Sequence, residues 1–164
     1  MSGAKTENIV RTLQAFGYSQ PGTLINYQTY RVVQDLKEGY GVLIGGYSYK
    51  KVTKILGIKV KTEHSGGHQW LAHGLLERRR EVRLYNKSSL LLDTTSESEW
   101  YIMCNWGWGN RDEEGYYLGG AFDASKGCVF PDGEASSRAD EDLSYEGSEN
   151  NYQYKLTAIT GIRK

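Results

Sequence analysis

The chain has 164 residues, 20 Lys plus Arg against 20 Asp plus Glu, and only two cysteines. A chain of that length suits a single domain that buries roughly 70% of its unfolded surface, so its core needs neither disulfides nor a structural metal, and two cysteines fall short of an all-cysteine zinc site. Zero net charge argues against a protein that tracks a nucleic-acid backbone, no apolar run reaches the ~18 residues of a membrane span, and Met1 to Glu7 hold no apolar stretch of the kind a secretory signal needs.

In chain order, Ile9, Val10, Leu13 and Phe16 recur at helical spacing, and Gly17 follows where a left-handed cap belongs. This predicts a short amphipathic helix over 6–16. Pro21-Gly22 predicts a turn, and Asn26 is placed to cap a second helix whose Tyr30, Val32, Val33 and Leu36 share a stripe that Gly39 ends. From there on, short apolar or alternating runs broken by Gly, Ser, Asn and Asp predict antiparallel strands over 41–47, 51–61, 69–75, 81–85, 100–105, 115–118 and 152–162. Helices first and strands afterwards give an α+β fold, read as one domain over 1–164.

Two stretches have a biased composition. Residues 50–61 carry five lysines and no acid, with Val52, Ile55, Leu56, Ile58 and Val60 interleaved, and read as an exposed edge hairpin guarded by lysines. Residues 131–150 carry seven acids against one Arg138 and read as a long solvated loop, disordered in part. Arg78-Arg79-Arg80, flanked by Glu77 and Glu81, reads as a charged turn or strand start that is partly neutralised locally.

Chemistry-bearing residues concentrate in two places. His64, His68 and His73 are close in sequence, but Ser65-Gly66-Gly67 breaks helical geometry between them and no acid joins them at ligand spacing, so no metal is expected. On a strand, His68, Trp70 and Ala72 share one face while Gln69, Leu71 and His73 share the other, so His68 and His73 point apart. In Cys104-Asn105-Trp106-Gly107-Trp108-Gly109, glycines permit a tight turn that presents Trp106 as a shield over a polar site. Trp70, Trp100 and Trp108 read as core. The Asn105 side-chain carbonyl can accept from an imidazole N–H and fix the tautomer of a histidine, and a base oriented in this way activates a thiol.

Taken together, Gly66-Gly67-His68-Gln69-Trp70-Leu71-Ala72-His73-Gly74, the Cys104 to Gly109 run and Gly115-Tyr116-Tyr117-Leu118 strongly resemble the streptopain family of cysteine peptidases, which have a papain-like fold. The likeness extends to residues 10–18, 27–46 and 152–162. It implies that the chain is the antiparallel, β-rich lobe of a papain-like fold, preceded by two short helices, with His68 as catalytic base and Asn105 and Trp106 orienting and shielding it. It also implies a polypeptide substrate, no cofactor, an exported parent protein, and a partner lobe on the N-terminal side that supplies the nucleophilic cysteine. The sequence departs from the family in having no cysteine before His68, in Gly45 near a family glutamine, in His73 at a position usually acidic or polar, and in residues 50–65, which read as an insertion. Neither Cys104 nor Cys128 matches the nucleophile, and Cys104 reads as a small core residue facing away from His68 if Asn105 faces toward it. The alternative is a catalytically inert module of papain-like ancestry that binds protein or glycan.

Overall fold

A computed structural model describes residues 6–108, 114–131 and 150–164. Residues 132–149 of the acidic stretch lie outside the described residues, as do Gly109 and Asn110.

Helices α1 (Thr6–Ala15) and α2 (Thr29–Lys37) occupy the predicted helical stretches. Past α1, the Gly17 N–H reaches the Gln14 carbonyl at 3.1 Å and the Tyr18 N–H reaches Leu13 at 3.2 Å; past α2, Gly39 reaches Leu36 at 3.1 Å and Tyr40 reaches Asp35 at 2.9 Å. Each pair closes a Schellman motif on a glycine of positive φ, which is why both helix ends were legible. The stripe on α2 is buried at Val32 and Val33, but Tyr30 is exposed. On α1, Ile9, Val10 and Leu13 are half-buried and Phe16 is exposed, so this helix is peripheral.

The stretch between the helices differs from expectation. Pro21-Gly22 lies inside strand β1 (Gln20–Asn26), and Asn26 ends that strand opposite Thr157 and caps nothing. The edge position of β1 accommodates a proline that donates no hydrogen bond. β1 joins β2 (Val42–Ile55), β3 (Ile58–Tyr85), β4 (Leu91–Asn105), β5 (Gly115–Leu118), β7 (Phe130–Pro131) and β9 (Tyr154–Arg163) in a seven-stranded antiparallel sheet of order β1-β9-β2-β3-β4-β5-β7. β6 (Phe122–Asp123) and β8 (Asn151–Tyr152) form a separate pair. Among the described residues the fold is thus mixed, with two α-helices and a mostly antiparallel sheet.

The long strands correct the predicted boundaries. Residues 51–61 are not one strand but, as the lysine-rich composition suggested, the two arms of an exposed hairpin, turning at Leu56-Gly57 with Ile55 opposite Ile58. The strands predicted at 69–75 and 81–85 are one continuous strand, with Arg78-Arg79-Arg80 in its middle. There Arg80 pairs with Glu97 at 2.6 Å and Arg79 with Glu77 at 2.9 Å, on a ribbon that β3 and β4 form alone.

The core gathers Val32 from α2, Val42 and Ile44 from β2, Trp70 and Ala72 from β3, Ile102 and Cys104 from β4, Tyr117, Phe122, Tyr152 and Ala158. Fully burying a side chain of this size contributes roughly 1.5–3 kcal/mol. A buried polar tie complements it: Asp35 on α2 accepts from the Gly161 N–H at 2.6 Å and from Arg163 Nη2 at 3.0 Å, which fastens the helix to β9.

Candidate active site

His68 sits on β3 where the sheet register pairs it with Gly46 of β2. The glycines around it have separate causes. Gly66 has φ +65, and a Cβ there would lie 2.6 Å from Ser48 Oγ, the hydroxyl that donates to the Gly66 carbonyl at 2.9 Å. A Cβ on Gly46 would lie 2.7 Å from Leu156 and 3.3 Å from Tyr152 Cβ, so the empty position opposite His68 admits residues from the end of the chain.

Among the described residues, four aromatic rings surround the imidazole. Centroid separations are 4.9 Å to Trp108, 5.5 Å to Tyr152, 6.1 Å to Trp106 and 6.4 Å to Trp70. Trp70 and Trp106 are buried and themselves 4.7 Å apart, so they form the floor of the site. Trp108, expected in the core, is instead exposed and forms its rim.

One polar contact orients the ring. His68 Nε2 lies 2.9 Å from the main-chain carbonyl of Trp106. A carbonyl only accepts, so Nε2 carries the proton and the lone pair of the neutral ring resides on Nδ1. The imidazole is therefore presented as a base at Nδ1.

Of the two predicted partners, Trp106 meets His68, whereas the Asn105 side chain does not, contrary to expectation. Trp106 contributes both its ring and its carbonyl. Asn105 pairs across the sheet with Leu71, and Cys104 with Ala72, so Cys104 shares the face of His68 and Trp70 while Asn105 turns to the other. The Asn105 Oδ1 accepts from the Gly107 N–H at 2.9 Å, an Asx turn that ends β4 with Gly107 at φ +74. It thereby shapes the turn that aims the Trp106 carbonyl. The expected separation of histidines has a structural basis: His73 is exposed in a β-bulge between the Ala72 and Gly74 pairings, and His64 lies against Tyr47.

Cys104 does not have the environment of a nucleophile. Cys104 is fully buried, and that burial pushes its thiol far above the usual range, so it stays protonated. Cys128 is half-buried and packs against the core. Among the described residues no helix is long and apolar enough to cross a membrane. Tyr152, Gly46 and the rim position of Trp108 were not identified from sequence. Tyr152 carried no local signal, because its place over His68 depends on the pairing of β8 with β6, Tyr152 opposite Phe122, and on its approach to Gly46, more than a hundred residues away.

No protein-family model matches the chain, and no curated protein matches it.

Proposed function

We propose that this chain is the base-bearing lobe of a streptopain-like cysteine peptidase with a papain-like fold, acting on polypeptides with a thiol supplied by a preceding lobe of the parent protein. The observation that carries the reading is the hydrogen bond from His68 Nε2 to the Trp106 carbonyl, which leaves Nδ1 as the basic atom within a wall of aromatic rings. In the complete enzyme Nδ1 takes the thiol proton. The resulting thiolate attacks the peptide carbonyl, and the Nδ1–H then protonates the leaving amine, so the proton is returned within one acylation. Water hydrolyses the acyl-thiol, with the same nitrogen as base. Trp106 and Trp108 keep bulk water from the thiolate–imidazolium pair, and Asn105 acts as a positioning residue through the turn it closes.

The test is casein hydrolysis by the parent protein expressed with its N-terminal lobe. His68→Ala is expected to reduce kcat by ~1,000-fold or more while circular dichroism is unchanged. Undiminished activity overturns the assignment of the base. Absence of thiol-dependent hydrolysis in the wild type, with no labelling by an epoxide thiol trap, favours the inert binding module instead.

A further inference from the structure

Beyond Tyr49 and Ser65, β2 and β3 pair only with each other, since the pairing of β2 with β9 ends at Tyr47 and that of β3 with β4 ends at Leu71. The ribbon ends in an apolar tip: Leu56 is 97% exposed, Ile58 70% and Ile55 60%. Directly behind it Lys54 pairs with Lys59, followed by Lys61 opposite Thr53 and then by Lys51 and Lys50. One acid, Glu63, lies near their base and pairs with Lys61 at 2.7 Å.

Leu56 has φ +50 and Gly57 φ +79, the positive pair of a two-residue hairpin turn. That first position favours Asn, Asp or Gly, and a leucine there is strained. The strain is offset by no packing within the described residues, because the side chain is in solvent. A convex two-stranded tip presents too little area for a standard protein interface. It has instead the layout of an interfacial anchor. At a strand rise of ~3.3 Å per residue the first lysine pair stands ~5–7 Å behind the apex, which matches the ~5–10 Å to which apolar side chains sink at a bilayer surface. Lysine stems at that level reach back to anionic headgroups.

We propose that the β2–β3 hairpin docks this chain on an anionic phospholipid surface, with Ile55, Leu56 and Ile58 entering the interface and Lys51, Lys54 and Lys59 held at the headgroups. The β3–β4 ribbon supplies an internal comparison: its tip is apolar at Leu90, Leu91 and Leu92, but its acids equal its bases in number over 77–100, so it lacks the cationic collar.

The experiment is flotation of the 164-residue chain with phosphatidylcholine vesicles, with and without about 30% phosphatidylserine. Binding is expected to be ~10-fold or more tighter with phosphatidylserine. Leu56→Asn is expected to lose ~10-fold, and because Asn-Gly suits this turn, that loss cannot come from unfolding. Lys54→Glu with Lys59→Glu is expected to lose at least as much, whereas Leu90→Asn on the other ribbon leaves binding unchanged. A tryptophan at position 56 (Leu56→Trp) should be quenched by brominated acyl chains. Equal binding to both vesicle types, an unaffected Leu56→Asn variant, or binding to soluble heparin or to a protein without vesicle binding would each overturn the proposal.

Discussion

The orientation of His68 rests on a group that every residue possesses, the main-chain carbonyl, so its particular source was not legible in the residue types. The Asn105-Trp106 pair could be recognised, but the division of labour between them could not: the sheet register turns the Asn105 side chain away and the Asx turn directs the Trp106 carbonyl inward. If the proposed peptidase reading holds, Asn105→Ala in the parent protein should lower kcat by ~10–100-fold with KM little changed, and Asn105→Asp, which keeps an acceptor for the Gly107 N–H, should restore most of it; loss of activity equal to that of His68→Ala in both variants would argue against an indirect role. Two buried groups set a limit on alkaline stability. Burial raises Tyr27 to about 12 and holds the Cys104 thiol protonated. Both are neutral when folded and ionise more readily when unfolded, so their contribution is intact below their unfolded values of about 8.5 for cysteine and about 10 for tyrosine and is lost as pH rises through the folded ones. Thermal unfolding should show a flat Tm between about pH 6 and 8 and a decline above about pH 9, and Tyr27→Phe should lessen the decline by about 2 kcal/mol or less at high pH.

At the scale of elements, the C-terminal ends of the two helices were legible because a capping glycine is a local requirement, whereas the start of α2 and the strand before it were not, because only the partner β9 makes an extended segment of Pro21-Gly22 to Asn26. The same strand carries the polar tie to α2. Asp35→Ala would leave the Gly161 N–H and the Arg163 guanidinium without their buried acceptor, and the expected cost is about 2–3 kcal/mol. Arg163→Ala leaves Asp35 its bond from the Gly161 N–H, so its cost should be smaller than that of Asp35→Ala even though it also gives up the Tyr40 ring at 3.3 Å and Glu38 at 3.2 Å. Urea unfolding of both variants measures the difference; equal midpoints would place the energy in the ion pair alone.

Over the whole molecule, β3 runs through the sheet and out of both ends, and its stability must be uneven. Hydrogen exchange should be slow at Leu43–Gly45 and Leu71–Ala72, where a sheet neighbour lies on both sides, and fast across residues 51–62 and 81–95, where each ribbon has two strands only. Replacing residues 51–63 with Asn-Gly, so that Lys50 still opposes His64, is expected to leave Tm within about 3 °C of the parent, since these residues bury little apolar surface. A much larger fall would mean that the ribbon packs on the body of the protein.

Local chemistry by itself determined the C-terminal ends of the helices, the apolar strands of the core, the lysine-rich hairpin and the two segments that meet at His68, because each is written in a few neighbouring residues as a cap, an alternation or a glycine pair. Tertiary structure decided which nitrogen of His68 is basic, that Tyr152 and Trp108 enclose it, that Cys104 is sealed in the core, and that two predicted strands are one. The reason is physical: these features depend on register and on main-chain groups brought together across long separations, and neither has a signature in residue type.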